Sequence, residues 1–348
     1  MYLRNRWYVA AYSNEVTRKP LQRTLLDERL VLYRTEAGEA VLVEDTCPHR
    51  FASLSLGTLV GDSIQCPYHG VEFGPNGQCT RIPGQSQIPG ALKIRSYPTF
   101  ERRGWIFAWF GEPELADPAL LPDWPWQDDP DWETHVYYFH VKGNYQLIID
   151  NLLDLSHVTF VHKSTVADPK FAETPAKVEV AGDQVRNIVS VIETDVPPLF
   201  TKLMKGYKGK IDRNSVGEFT PPAYINVSSH SYPHGQPDSD LVIRMKTQLG
   251  CATPETATST HFFVSQSRDF AVRDHWVTDM LRQLNNHTVL EDVVMMNAQQ
   301  AVMDAHPERR TVALKVDGAG IQARRVMERL IREEEQQRAA AVAPNAAS

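Results

Sequence analysis

Cys47-Pro48-His49 and Cys66-Pro67-Tyr68-His69 stand with sixteen residues between them and offer two soft thiolates and two imidazoles from a pair of short loops. A mononuclear Cys₂His₂ zinc site takes those four groups. So does a Rieske [2Fe–2S] cluster, in which two cysteines hold one iron and two histidines hold the other. Zinc fingers keep like ligands together, C-x-x-C followed by H-x₃₋₅-H. Here each loop contributes one Cys and one His, so two loops can grip a two-iron cluster from opposite sides. The pattern favours the cluster and leaves zinc open.

A second constellation lies downstream. Asp154-Leu155-Ser156-His157, followed by His162, reads D-x-x-H-x₄-H. Two neutral imidazoles and one carboxylate, with positions left open, make the facial triad of non-haem Fe(II) oxygenases. The stretch 144–160 carries Leu147, Ile148, Leu152 and Leu155 and reads as a buried helix. Asp154 and His157, three apart, share a face. His157 and His162, five apart, would diverge by about 140° on an ideal helix. If both bind one metal, the helix must break or bulge near 158–161. A later helical run, Trp276 to about Met303, carries Glu291 and Asp292 beside the stripe of Val277, Leu281 and Leu284. Periodicity does not choose between the two acids.

The elements that must position these groups follow from punctuation. Residues 1–112 read as an all-β, loop-rich domain: alternating stretches such as RTLLDERLVLYRT, then glycines at 57, 61, 70, 74, 77, 84 and 90, then WIFAWFG. Residues 113–135, crowded with Pro and Asp, read as a linker. Residues 136–334 read as a catalytic domain: a helix, strand-like runs (KVEVAG, QVRNIVSVIETD, YINVSSHSY, DLVIRMKTQL, THFFVSQSRDF), then helical stretches near 274–304 and 319–334. Residues 335–348 read as a disordered tail. The fold class expected is α+β, with an antiparallel sheet lined by helices in the second domain.

Composition narrows the function classes. The chain has 348 residues, 42% of them hydrophobic, enough for a large core and two domains. A net charge of −7 without a basic run argues against nucleic acid. No apolar stretch approaches about eighteen residues, so no membrane span is expected, and the N-terminus has no secretion signal. Four cysteines make no disulfide framework; Cys79 and Cys251 are expected as reduced, packed thiols. A cytoplasmic enzyme fits. No G-x-G-x-x-G opens a helix, so no dinucleotide site is expected in this chain.

The segments CPHRFASLSLG and CPYHGVEFGPNGQC closely resemble the cluster loops of aromatic-ring and O-demethylating oxygenases. The resemblance continues through RNRWYVAAYSNEV, PGQ at 83–85, IRSYP at 94–98 and WIFAWFGEP at 105–113, and covers Tyr2 to about Arg329. The chain is therefore similar to Rieske non-haem iron oxygenases, specifically an oxygenase component of the vanillate O-demethylase type. That resemblance implies a Rieske cluster on Cys47, His49, Cys66 and His69, and a mononuclear Fe(II) on His157, His162 and Asp292. It implies that Asp154 accepts hydrogen bonds from an iron histidine and from a cluster histidine of a neighbouring subunit, His69 being favoured, in a homotrimer. Electrons from NAD(P)H would arrive through a separate reductase carrying flavin and a ferredoxin-type cluster. With O₂, hydroxylation of a methoxy carbon gives a hemiacetal that collapses to a phenol and formaldehyde. Ring dihydroxylation, side-chain hydroxylation and a bare Rieske electron carrier are the alternatives.

Substrate choice is less legible. Leu199, Phe200 and Leu203 are candidates for an apolar wall against an aromatic ring. Asn226, Arg213 and Arg244 are candidates to meet an anionic substituent, since arginine suits carboxylates and sulfonates. The family sometimes has a polar residue just before T-P-E-T; here Gly250-Cys251 stands there. A methoxylated benzoate is the expected substrate, with an aromatic sulfonate or another carboxylate close behind.

Overall fold

The computed structural model describes residues 1–163, 166 and 168–342, and for 198, 199, 248–251, 341 and 342 the backbone alone. These residues divide into two compact units, one formed by Tyr2–Leu121 with Thr253–Thr256, the other by the rest.

The first unit is all β. Its strands are β1 (Arg6–Tyr12), β2 (Leu21–Leu25), β3 (Glu28–Arg34), β4 (Ala40–Glu44), β5 (Thr58–Val60), β6 (Ser63–Gln65), β7 (Glu72–Phe73), β8 (Cys79–Arg81), β9 (Ser96–Tyr97), β10 (Thr99–Arg102) and β11 (Trp105–Phe110). They form three antiparallel sheets, ordered β1-β11-β10, β2-β3-β4-β9 and β5-β6-β7-β8. In β11 every residue is buried, as an aromatic-rich strand covered on both faces should be. The cluster motifs hang from this framework. One follows β4 and the other bridges β6 and β7, over a core of Val31, Val43, Leu54, Ile64, Val71 and Phe73. Thr253–Thr256 joins this unit through backbone bonds from Leu26 to Pro254 (2.8 Å) and from Asp27 to Glu255 (2.9 Å).

The second unit is a seven-stranded antiparallel sheet with helices. The strands are β12 (Glu133–Val141), β13 (Lys177–Ala181), β14 (Gln184–Asp195), β15 (Lys210–Thr220), β16 (Tyr224–Pro233), β17 (Ile243–Thr256) and β18 (Ser259–Arg268), ordered β12-β18-β17-β16-β15-β14-β13. The helices are α1 (Tyr145–Leu153), α2 (Val158–Val161), α3 (Pro169–Glu173), α4 (Pro198–Leu203), α5 (His275–Ala305) and α6 (Gly318–Val342). One sheet face receives α1. Asn187 Nδ2 donates to Leu153 C=O at 2.6 Å. At Gly217, paired beside it, a Cβ would lie 2.9 Å from Leu152 C=O, so only glycine lets the helix approach this closely. The opposite face is covered by the start of this unit, with Trp124 edge-on to Tyr224 and Lys246 over Trp126.

Four expectations are corrected here. The helix read over 144–160 stops at Leu153, and the break falls at Asp154 rather than near 158–161. Asp154 is extended (φ −104°, ψ 96°) and caps the next turn, which a short acid does better than a helix interior. The linker segment is not featureless: Pro113, Pro118 and Pro125 each open a one-turn 3₁₀ helix, and β12 already begins at Glu133. Residues 335–342 continue α6, helped by good helix formers and an Arg338–Glu334 pair one turn apart. Strands β12 and β15 add to those read from the sequence. No helix among the described residues is long and apolar enough to cross a membrane.

Candidate metal centres

The two cluster loops repeat one backbone design. Cys47 N–H donates to Ala52 C=O (2.9 Å) and Phe51 N–H returns to Cys47 C=O (2.8 Å). Cys66 N–H donates to Val71 C=O (2.7 Å) and Gly70 N–H returns to Cys66 C=O (3.0 Å). The fifth residue of each loop is left-handed, Phe51 at φ 56° and Gly70 at φ 68°. That conformation is ordinary for glycine and costly for phenylalanine. It turns each loop back on itself, closing it onto its own cysteine.

Burial then separates the donors. Cys47 and Cys66 are 1% and 2% exposed, whereas His49 and His69 lie at the surface with ring centres 4.5 Å apart. Burial, and then the neighbouring Cys66, push the Cys47 thiol above its ordinary value. A cationic centre bound beside it would favour the Cys47 thiolate. Buried sulfurs below and exposed imidazoles above are the donor distribution a Rieske cluster needs. Tyr68, 65% exposed, lies against His69 with ring centres 4.0 Å apart, and Phe51, 81% exposed, is a second exposed aromatic on these loops. Cys79 packs against this core with its Sγ 3.6 Å from Arg81 C=O, a thiol outside the donor set. The side chain of Cys251 lies outside the described residues.

In the second unit the break at Asp154 does what a continuous helix could not. His157 ends a 3₁₀ turn and His162 follows α2, so their rings meet at 5.2 Å and 75°. Asp292, from α5, completes the group. Its Oδ1 is 3.5 Å from His157 Nε2 and 3.4 Å from His162 Nε2, and one donor atom from each residue lies within 4.8 Å of the others. Donors about 2.1 Å from a shared ion sit roughly 3 Å apart, so the group needs only a small contraction to hold one.

The rings are aimed by their other nitrogens. His157 Nδ1 bonds the backbone carbonyl of Asp154, and His162 Nδ1 bonds Glu291 Oε2 at 2.8 Å. Both Nε2 atoms are thus directed at Asp292, which accepts from Asn151 Nδ2 at 3.2 Å. Burial alone would push the His162 imidazole down; Asp292 and Glu291 outweigh it and hold it above its ordinary value. A positive centre is favoured at that spot, and the donor set of two imidazoles and a carboxylate suits iron(II). Periodicity had left Glu291 and Asp292 equivalent. The structure gives them adjacent tasks, Asp292 at the donor triangle and Glu291 behind His162. The contact from His157 to Asp154 runs through the backbone, not through the carboxylate as expected. The carboxylate Oδ1 takes Ser156 N–H at 2.9 Å, and Oδ2 meets no partner among the described residues.

The substrate candidates fare differently. Side chains alternate along a strand. Gly217 and Val227 are paired and face the helices, so Asn226 and Arg244 face away. Asn226 Nδ2 donates to Ser228 at 3.2 Å, and Arg244 pairs with Asp269 at 3.1 Å. Arg213 does face the helices, but it is buried and pairs with Asp168 at 3.2 Å between the rings of Phe171 (4.7 Å) and Phe200 (5.1 Å). Breaking such a buried pair costs about 3–5 kcal/mol. Phe200 is core, packed with Met204, Ile211 and Ile243, with Leu203 at its margin. The side chain of Leu199 lies outside the described residues. The apolar cluster next to the histidine turn is Leu155, Phe171, Val189 and Val191, all buried, with Val227 partly buried at its edge, a set the sequence did not single out.

Residues 6–98 match the Rieske [2Fe-2S] domain family, and residues 141–333 match the vanillate O-demethylase oxygenase C-terminal domain family. The vanillate O-demethylase oxygenase subunit of Pseudomonas sp. strain HR199 is 34% identical over the full length of both chains. The iron-sulfur subunit of the toluene-4-sulfonate monooxygenase system of Comamonas testosteroni is 34% identical over 96% of this chain and 98% of its own. A crystal structure of dicamba monooxygenase with non-heme iron and dicamba superposes with a TM-score of 0.80 at 33% identity, covering 97% of this chain and 99% of that one. The two matched domains, in this order along the chain, and the likeness in sequence and fold to these relatives make the chain a member of the Rieske non-haem iron oxygenases, an oxygenase component of the vanillate O-demethylase type.

Proposed function

We propose that this oxygenase component monooxygenates an aromatic acid, O-demethylating a methoxybenzoate-type compound to a phenol and formaldehyde. The observation that carries the reading is the triangle of His157, His162 and Asp292, with one donor atom of each close to the others, His162 and Asp292 buried and His157 half-buried. The family's cofactors are a Rieske [2Fe–2S] cluster and a mononuclear non-haem iron. Cys47, His49, Cys66 and His69 would hold the first, and His157, His162 and Asp292 the second. When bound, they supply electron transfer and dioxygen activation respectively.

The residues around the triangle prepare the reaction. Glu291 and the Asp154 carbonyl fix the imidazole tautomers. Leu155, Phe171, Val189 and Val191 are buried together beside them and exclude water, and the partly buried Val227 at the edge of that cluster would meet an aromatic ring. The relatives include oxygenases of vanillate and of toluene-4-sulfonate, which supports an aromatic acid as the substrate class and leaves side-chain hydroxylation of an aromatic sulfonate as the second reading. The partner is a separate NAD(P)H reductase carrying flavin and a ferredoxin-type cluster, and the compartment is the cytoplasm.

Quaternary structure belongs to the same proposal. The exposed imidazoles, with exposed Tyr68 and Phe51 on the same two loops, suit a protein interface. A head-to-tail contact that closes gives a ring, and we read a homotrimer in which Asp154 Oδ2 of one subunit accepts from His69 of the next. Asp154→Ala should then leave both metals loaded and abolish turnover, read as iron content against product formed. Retained turnover would defeat the bridge. For the reaction itself, the iron-loaded protein, O₂, NADH and a purified reductase of the stated type are incubated with methoxybenzoates and with toluene-4-sulfonate. Stoichiometric formaldehyde from a methoxybenzoate supports demethylation; a benzylic alcohol from the sulfonate without formaldehyde replaces it by the second reading.

A further inference from the structure

We infer that Asp168 is a positioning residue for the mononuclear metal site, tying the segment that carries His162 to the sheet through its buried pair with Arg213. The inference rests on reading His157, His162 and Asp292 as the iron ligands. Asp168 is 3% exposed and lies outside the donor triangle, yet four elements converge on it. Its Oδ1 accepts from Lys170 N–H at 3.0 Å, capping α3, and from Thr194 Oγ1 of β14 at 3.1 Å. Its Oδ2 accepts from Arg213 Nη1 of β15 at 3.2 Å. Its backbone carbonyl accepts from Thr159 Oγ1 at 2.8 Å, and Thr159 sits in α2, between His157 and His162.

The consequence is geometric. A four-residue helix between two ligands has too few internal hydrogen bonds to fix itself. His162 N–H reaches Val158 C=O at only 3.3 Å. The ring of His162 is held from α5 by Glu291, but its backbone needs a second anchor. Thr159 supplies one end and Asp168 joins it to two neighbouring strands. Arg213 is fixed in turn by the rings of Phe171 and Phe200 on either side. An arginine locked between two aromatics and one carboxylate is a strut, which explains why it does not face a substrate anion. Ligand orientation through outer contacts of this kind is worth roughly 10–100-fold in metal affinity.

The experiment measures the anaerobic Fe(II) dissociation constant of protein with its cluster intact and its mononuclear iron removed by chelation. Asp168→Asn should weaken Fe(II) binding by about 10–100-fold while leaving the Rieske EPR signal unchanged. Thr159→Val, which deletes one hydroxyl, should weaken it by several-fold on the order of that range's lower end, and Thr159→Ser should restore it. Asp212→Asn is the control. Asp212 is equally buried, precedes Arg213 in β15 and takes Glu193 N–H (2.9 Å), Gly235 N–H (3.0 Å) and His234 Nδ1 (2.8 Å) on the opposite side. It should lower the thermal midpoint without changing Fe(II) affinity. Fe(II) affinity within about twofold of the parent in both Asp168→Asn and Thr159→Val overturns the inference, as does an equal loss in Asp212→Asn. If Asp168→Asn does not fold, the Thr159→Val and Thr159→Ser pair decides. A parent protein that takes up no Fe(II) beyond the cluster overturns the ligand reading itself, and the inference with it.

Discussion

The two metal-binding regions solve the same problem, converging donors on a point, by opposite means. The cluster loops are local and duplicated. Each is a five-residue turn closed by the same two backbone bonds, and each presents its cysteine inward and its histidine outward. The triangle of His157, His162 and Asp292 is non-local. Two histidines come from a helix broken at Asp154, and the carboxylate comes from a helix more than a hundred residues later. Rigidity in the first comes from backbone geometry within a few residues. In the second it comes from side chains that bridge elements: Glu291 to His162, Asn151 to Asp292 and Asp168 to Arg213. Local design gives a site that forms with its own sheet; non-local design gives one that can be tuned from a distance.

If the two are built independently, each can be emptied without the other. This is the largest effect expected. Cys66→Ala should eliminate the Rieske EPR signal and all turnover, yet retain one Fe(II) per chain. His162→Ala should do the reverse, losing the mononuclear iron and all turnover while the EPR signal of the reduced protein stays unchanged. Loss of both metals in either variant would mean that the units do not fold separately, and the contrast drawn above would fail.

A smaller effect sharpens the contrast. Glu291 touches no donor to the metal except through the far nitrogen of His162. Glu291→Ala should therefore weaken Fe(II) binding by about 10–100-fold, as other contacts behind a metal-bound histidine do. No counterpart exists on the cluster side among the described residues, where the imidazoles of His49 and His69 are exposed and set by their loops. Removing Glu291 should leave the cluster's reduction potential where it was. A shift in that potential together with the loss of iron affinity would show the sites to be coupled within one chain.

The same difference decides what the sequence could reveal. Spacing alone brought out the four donors of the first region and favoured a cluster over zinc, because they lie within 23 residues, Cys47 to His69, and the turn chemistry is written beside them. D-x-x-H-x₄-H brought out two candidate ligands and even required a break in the helix if both meet one metal, although the break sits at Asp154, where an aspartate caps the following turn. Asp292 was not separable from Glu291 by periodicity, since adjacent residues on α5 both lie near its buried face. Strand β15 was missed for a physical reason. Its inward positions include Arg213, Ser215 and Gly217, so the alternation of apolar residues that marks a half-buried strand is absent. Without β15 the register of β16 is undetermined, and a one-residue error turns every side chain to the other face.

That parity argument yields the smallest expected effect and the most direct check on the second region. Asn226 and Arg244 were attractive partners for a substrate anion by chemistry, but both project from the sheet face away from α1 and the histidine turn. Asn226 bonds Ser228, and Arg244 is already paired with Asp269 near the surface, where such pairs contribute about 0–1 kcal/mol. Asn226→Ala and Arg244→Ala should each leave KM for the aromatic acid within about twofold, a change of roughly 0.4 kcal/mol or less. Val227→Asp, one position along and facing the helices, should abolish binding by placing an unpaired charge among Leu155, Phe171, Val189 and Val191. If Asn226→Ala raises KM tenfold while Val227→Asp is tolerated, β16 runs in the other register around the site, and the apolar surface assigned to the substrate must be moved to the opposite face.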